Sequence, residues 1–447
     1  MTHDRKTTIQ PESTENALPI LTPGRMRALT RAFTEKLFED VRRMSVTKGS
    51  EGKPLESEGV TRTAYSDEET AVLDHLEAIA RDWGLEVRTD PVGNRFFTYA
   101  GEDRTLPALM SGSHADSVLS GGNFDGLAGI VAGLVAVREM RQKGVTPSRD
   151  VVVTLLRCEE QGLIGSKAMM GKITPAELTA RWRPDMPTLE ELMREAGVDP
   201  KAVSSGKPVV DCAKIGAYVE LHIEQGLRLN LPENPRVGLV TGIRGIIFQR
   251  TVKVTGAPGH AGAIDYAFRH DALAATVKLI DRMNARWAER VAAGDDLVFT
   301  VGMLNTLPNA TFNKIPEEVT FSFDLRTLSI DVRDAFYAEM TAEAEKIGKV
   351  HGVTFDFGMP GYMTPCVSDP DLMRKLHRAA EKAGVRVLEE PSGAGHDAQT
   401  FANEKIPFAM IFVANQNGSH NPDEAMRTDD FLEGCAVLAG LVEDFDA

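Results

Sequence analysis

The chain has 447 residues, 42% of them hydrophobic and 26% charged, and carries a formal net charge of −15. That length exceeds one ordinary core and predicts two structural units. The acidic balance excludes a general nucleic-acid or anionic-membrane surface, although a single local Arg can still hold a carboxylate.

Cys158, Cys212, Cys366 and Cys435 form no CxxC pair, which predicts reduced thiols in a cytoplasmic protein. Residues 1–25 are polar and carry no apolar run before a small-residue cleavage site, so no secretory signal is expected. The stretch Gly126–Val137 is apolar but too short to span a bilayer, and reads as a buried helix.

An amphipathic helix is predicted over Met26–Arg43, then a polar loop from Gly49 to Gly59. Ser66-Asp67-Glu68-Glu69 has the capping-box spacing and opens a helix ending near Gly84. Leu85–Ala100 reads as a hairpin around Pro91-Val92-Gly93-Asn94. Leu106–Met110, Val151–Leu156 and Ala217–Leu221 are short apolar runs of the kind shown by parallel strands buried on both faces. Helices over Asp125–Arg141 and around Leu189–Ala196 separate them, so the fold class is α/β with a doubly wound sheet.

From about Gly242 to Pro365 the period changes. The predicted order is strand Ile246–Thr255, helix Arg269–Trp287, strands Leu297–Leu304 and Val319–Arg326, helix Val332–Lys349 and strand Val353–Phe357. This is the β-α-β-β-α-β order of a ferredoxin-like α+β unit. Helix–strand alternation then resumes with Asp369–Ala383, Phe408–Val413 and a closing helix from Asp429. The expected division is one larger unit in two parts, 1–241 and 366–447, with 242–365 inserted.

Five clusters follow apolar strands or sit in Gly-rich turns: Ser113-His114-Ala115-Asp116, Gly121 to Gly126 with Asp125, Cys158-Glu159-Glu160-Gln161-Gly162, His222-Ile223-Glu224-Gln225-Gly226 and Gly418-Ser419-His420-Asn421-Pro422. In doubly wound sheets functional groups gather beyond the carboxyl ends of strands. A lone His or Glu at such a place is as often structural as functional; five clusters at equivalent places are harder to dismiss. Imidazole and carboxylate suit Zn²⁺ or Mn²⁺, and one carboxylate such as Asp125 can bridge two ions. Glu159 and Glu160, adjacent at a strand end, can divide labour between a metal and a proton. No GxSxG elbow and no Walker-type loop is present.

The motifs GSHAD (112–116), NFDG (123–126), RCEEQG (157–162), ELHIEQG (220–226), GAPGHAG (256–262), PNATFNKIP (308–316), DLR (324–326), SGAGHDAQ (392–399) and GSHNPDE (418–424) together span most of the chain. As a set they resemble the hydantoinase/carbamoylase family of amidases, which includes N-carbamoyl-L-amino-acid hydrolases, allantoate amidohydrolases and β-ureidopropionases, within a wider two-zinc aminopeptidase-like superfamily. Peptidase and aminoacylase relatives have an acidic residue where this chain has His222, which favours the carbamoylase branch.

The resemblance implies a zinc-aminopeptidase-like catalytic domain with an inserted lid/dimerisation domain, two divalent ions per chain (Zn, Mn or Co) and a homodimer acting on a small carboxylate substrate. It implies one metal site from His114, Asp125 and His222 and another from Asp125, Glu160 and His420. It makes Glu159 the general base, with His260 and Asn313 touching substrate or oxyanion. Arg326 would hold the substrate carboxylate, and Gln225, Gly395 and His396 would line the pocket. Two departures from the family pattern are Ala263–Arg269, where a Thr-Pro-Met type segment is usual, and the loop Ala414–His420, shorter by a residue. Rival readings are an N-acyl amino-acid deacylase or peptidase, and a non-catalytic protein of the same fold.

Overall fold

The computed structural model describes residues 23–49, 52–181 and 186–446. Residues 1–22 of the N-terminal reading and residues 50–51 of the expected loop lie outside them. Helices α1 (Pro23–Ser45) and α2 (Asp67–Asp82) come first. The Ser66 hydroxyl accepts the Glu69 N–H at 3.1 Å, as the capping pattern predicts. The reciprocal half is displaced: Glu69 Oε2 accepts the Tyr65 N–H and pairs with Arg157 Nε and Nη2 at 2.9 and 2.6 Å. A fully buried carboxylate needs a cation more than it needs the adjacent amide.

Strands β1 (Glu86–Thr89) and β2 (Arg95–Tyr99) form the expected antiparallel hairpin. Then come β3 (Ala108–His114), α3 (Leu127–Lys143), β4 (Val151–Leu156), the short helices α4 (Ile164–Met169), α5 (Pro175–Thr179), α6 (Leu189–Glu195) and α7 (Pro200–Val203), β5 (Ile215–Ile223) and β6 (Val237–Ile243). Strand β3 starts two residues later than expected and runs four further, because Ser111, Gly112 and Ser113 stay in register with Val153, Thr154 and Leu155 of β4.

The next segment holds β7 (Gly245–Thr255), β8 (Gly259–His260), α8 (Ala272–Ala292), β9 (Val298–Thr300), β10 (Leu304–Thr306), β11 (Lys314–Ile315), β12 (Glu318–Thr327), α9 (Ile330–His351), β13 (Thr354–Asp356) and β14 (Gly361–Met363); β7, β9, β10, β12, β13 and β14 form a second sheet, and β8 and β11 a separate two-stranded ribbon. The chain then returns through β15 (Cys366–Val367), α10 (Pro370–Ala383), β16 (Val387–Ser392), α11 (Asp397–Asn403), β17 (Phe408–Val413) and α12 (Thr428–Glu443).

Nine strands form the larger sheet, in the order β1-β2-β4-β3-β5-β17-β6-β15 with β16 beside β6. At its centre β4, β3, β5 and β17 run parallel. Helices cover both faces: α3, α10 and α12 with α1 and α2 on one, α11 on the other, where Phe401 stacks on Tyr218 at 3.8 Å. Residues 127–137 of α3 are all buried, which explains their unbroken apolar run.

The larger sheet extends to Ile243, two residues past the expected division, because β6 pairs β17 and then β15 along one side and β16 along the other. The smaller sheet has its own core, with Phe321, Phe336 and Met340 buried between β12 and helices α8 and α9. Each such buried side chain contributes about 1.5–3 kcal/mol. The expected strand Leu297–Leu304 is interrupted: β9 and β10 pair different stretches of β12, and the Met303 N–H is taken by the Ser322 hydroxyl. No helix among the described residues is long and apolar enough to cross a membrane.

Candidate active site

The carboxyl ends of the four parallel strands converge. His114 ends β3, His222 is the penultimate residue of β5, the turn with Glu159 and Glu160 follows β4, and the loop with His420 follows β17. Asp125 lies just before α3. It is not the helix cap; Gly126 holds that place with φ 67°, and a Cβ there would sit 2.4 Å from the His114 ring. The Asp125 carboxylate is therefore free to face the imidazoles.

Asp125 Oδ1 lies 3.1 Å from His222 Nε2 and 3.7 Å from His114 Nε2, while Oδ2 lies 3.4 Å from His420 Nε2. Glu160 Oε2 is 3.2 Å from His420 Nε2, and Glu159 Oε2 is 3.8 Å from His114 Nε2. The structure thus brings His114, Asp125 and His222 into one group able to hold an ion, and Asp125, Glu160 and His420 into another. Each group has ligand atoms within 4.8 Å of one another.

The donor chemistry fits a cation. His222 Nδ1 faces the Ile223 carbonyl at 2.9 Å and His114 Nδ1 the Asp116 carbonyl at 3.0 Å, which leaves both Nε2 lone pairs pointing inward. His222 Nε2 is buried and has no hydrogen-bond partner. Buried carboxylates gathered this closely are costly without a compensating cation.

The electrostatics follow from that crowding. Burial opposes ionisation of Asp125, yet the imidazoles of His114, His222 and His420 gathered around it hold it well below the usual carboxylate range. Burial raises the Glu159 carboxyl well above its usual range; His114 opposes the rise, and Asp397 and Glu160 add to it. His420 is pushed up to about 10 by Asp125 and Glu160. His396 is held well below its usual value by burial and by neighbouring His222, so it is neutral, with Nε2 2.9 Å from the Ser392 hydroxyl.

A cavity of about 350 Å³ opens over these groups, and Gln225, Gly395, His396 and Arg326 help to line it. Gln225, at φ 60°, donates from Nε2 to Asp125 Oδ2 at 3.0 Å. Arg326 stands on the solvent-side face of β12, as its alternation predicts, and is clamped: Nε and Nη2 each donate to Asp324 at 2.8 Å, and Nη1 donates to the Gly393 carbonyl at 2.6 Å. His260 and Asn313 do not line this cavity. They lie on a small exposed ribbon, where β8 pairs β11 with His260 opposite Lys314, and the Ala261 N–H donates to the Asn313 carbonyl at 3.0 Å.

Three residues here were not singled out from the sequence. Asp116 accepts the N–H groups of both Glu159 and Glu160; it sits inside the GSHAD motif, whose His drew all the weight. Glu424 accepts the N–H groups of Phe124 and Asp125 at 2.7 and 3.2 Å; it ends the GSHNPDE motif, which was its only signal. Arg244 lines the cavity from the crossing between the two sheets and carries no local pattern.

Fold and site define the class: an α/β protein with residue groups suited to divalent metal, which the following relatives place among hydrolases of linear amides. A model of the peptidase family M20/M25/M40 matches residues 105–444, and the chain belongs to that family. The N-carbamoyl-L-amino acid amidohydrolase of Geobacillus stearothermophilus is 35% identical over 390 residues, covering 86% of this chain and 92% of the relative. Allantoate amidohydrolase of Escherichia coli K12 is 32% identical over 391 residues, covering 85% and 92%. The crystal structure of an amidase of the hydantoinase/carbamoylase family from Burkholderia multivorans matches with a TM-score of 0.81 at 27% identity, covering 92% of this chain and 97% of that one. The resemblance drawn from the motifs is borne out.

Proposed function

We propose that this chain hydrolyses the ureido C–N bond of an N-carbamoyl-L-amino acid or a related ureido acid. The observation that carries the reading is one carboxylate, Asp125, shared by two groups of potential ligands, with the largely covered Glu159 beside them. His114, Asp125 and His222 would hold one divalent ion, and Asp125, Glu160 and His420 a second. When bound, such ions (Zn, Mn or Co) polarise a carbonyl and acidify water.

Glu159 takes a proton from the attacking water and returns it to the leaving nitrogen. The carbamoyl carbon loses its bond to that nitrogen and leaves as carbamate, which decomposes to CO₂ and NH₃. Arg326 grips the substrate carboxylate with its remaining N–H groups, a match of fork and carboxylate that Lys does not reproduce. Gln225, Gly395 and His396 shape the pocket around the ureido group.

His260 and Asn313 are too far out on the ribbon to serve their own cavity, and Phe312 beside them is wholly exposed, as are Tyr266 and Phe268 in large part. A homodimer through the smaller sheet unit covers these side chains and brings His260 and Asn313 over the partner's carbonyl, where they stabilise the oxyanion. Four free thiols suit a reducing, cytoplasmic setting.

The test is ammonia release from a panel of N-carbamoyl-L-amino acids, allantoate and N-carbamoyl-β-alanine with added Mn²⁺, Co²⁺ or Zn²⁺. Turnover of at least one ureido compound is expected. Cleavage of N-acyl amino acids or dipeptides with none of the ureido compounds turned over overturns the reading.

A further inference from the structure

Arg244 is the one residue between β6 and β7, and it faces the cavity that holds Asp125, Glu159 and Arg326. Its side chain is fixed. Nε donates to Asp296 Oδ1 and Oδ2 at 2.8 and 3.1 Å, and Nη2 donates to Oδ1 at 2.5 Å. Asp296 is itself held by the Leu328 N–H at 2.8 Å. A guanidinium has five N–H donors. Nη1, which carries two of them, has no hydrogen-bond partner among the described residues.

Arg326 stands opposite, with Asp324 as its own clamp. The two guanidiniums meet at Gly393: Arg326 Nη1 donates to its carbonyl at 2.6 Å, and Arg244 Nη1 lies 3.5 Å from where a Cβ would be. One residue's width therefore separates two oriented cations with spare donors. Ile246 and Met363, register partners on β7 and β14, line the same cavity. That wall suits a short aliphatic spacer.

One guanidinium fork satisfies one carboxylate. A second, pre-aimed and only 15% exposed at its side chain, fits a second anion one short spacer away from the first. We propose that Arg244 determines specificity by binding a side-chain carboxylate, so that the preferred substrates are ureido dicarboxylic acids, the N-carbamoyl derivatives of acidic amino acids. This inference rests on the ureido-hydrolase reading above.

The test compares kcat/KM for N-carbamoyl-L-aspartate and N-carbamoyl-L-glutamate with that for the matching asparagine and glutamine derivatives. Each pair is nearly identical in shape and differs in charge. The metal-loaded wild type is expected to favour at least one acid over its amide by roughly 10- to 150-fold, the range of a charge-assisted contact. Arg244→Gln should collapse that ratio towards one, and Arg244→Lys should restore part of it. Turnover of the amide shows that each variant is folded. A wild type that treats acid and amide alike overturns the inference and leaves the ureido-hydrolase reading standing. So does an Arg244→Gln enzyme that loses acid and amide in equal proportion, the mark of a residue that merely braces the crossing. Absence of turnover of every ureido compound instead removes the reading itself, and the inference with it.

Discussion

Asp116 carries Glu159 from just beyond a neighbouring strand: its Oδ1 accepts the Glu159 N–H at 3.0 Å while Oδ2 accepts the Glu160 N–H at 3.2 Å. The turn after β4, with Cys158 at φ 60°, is thereby hung from the segment that follows β3. The two acids are set by one carboxylate and aimed at different imidazoles. That arrangement gives Glu159 a position independent of any ion.

Glu159→Gln keeps the shape and removes the base. A loss on the order of 10²–10⁴ in kcat is expected, with bound metal unchanged by elemental analysis. Near-normal turnover would show that another group moves the proton.

Chelation should abolish turnover, and Mn²⁺, Co²⁺ or Zn²⁺ should restore it. His222→Ala should weaken metal binding measured by titration calorimetry, since it removes the buried Nε2 that faces Asp125 and makes no hydrogen bond. Full activity in rigorously metal-free protein would sink the assignment of both sites.

Arg326→Ala should lower kcat/KM for carboxylate substrates by about 10- to 150-fold, and Arg326→Lys should recover only part, because the charge returns without the fork. A neutral analogue lacking the α-carboxylate should be poor for wild type and indifferent to the change. If Arg326→Ala hydrolyses carboxylate and neutral substrates in the wild-type ratio, the clamp by Asp324 is all that Arg326 provides.

Mixing inactive Glu159→Gln and His260→Ala chains should regenerate activity if His260 completes the partner's site. Subunit exchange must first be demonstrated, for example by energy transfer between labelled chains. Exchange without recovered activity rejects the cross-subunit role.

Glu424 governs a pH dependence. Burial first, and the charge of Asp125 second, push its carboxyl from 4.5 up to about 7. An acid raised on folding binds its proton more tightly in the native state. Its contribution to stability is therefore full below about pH 4.5 and lost as pH rises through about 7. Asp397 and Glu390, also raised to about 7 by burial, add to the same trend. In metal-free protein, Glu424→Gln should make the fall in denaturation free energy across this window shallower, by at most about 1.4 kcal/mol per pH unit. Parallel curves for wild type and variant would place the titration elsewhere.

The parts of the fold legible in the sequence were those where one force dominates. Val151–Leu156 and Phe408–Val413 are buried on both faces, so every position but Thr154 is apolar and the strand limits match those expected. In β12 burial alternates strictly, so Phe321, Phe323 and Leu325 announce their face and Arg326 the other. Strand β16 was not foreseen: Glu389, Glu390 and Pro391 interrupt its pattern, and Pro391 is tolerated because the strand is at an edge and its register shifts there. The ribbon of β8 and β11 spans two residues on each side, too few for any period to register. In the site, the His and Asp groups at strand ends stood out by chemistry. Asp116 and Glu424 did not, because they act by accepting backbone N–H groups, a role that leaves no spacing rule.

The chain leaves the larger sheet at Ile243 and rejoins it at Cys366, and these two residues are register partners; just beyond the crossing Ile246 and Met363 are partners too. Paired residues of antiparallel strands lie roughly 5 Å apart. Everything from 244 to 365 therefore begins and ends at one spot, like a page bound along a single edge. The larger sheet's strand order does not depend on what that page contains. Exchanging it with the corresponding segment of a relative needs two cuts at one place, and would transplant the exposed ribbon and the Arg326 strand together while leaving Asp125 and the three imidazoles around it untouched.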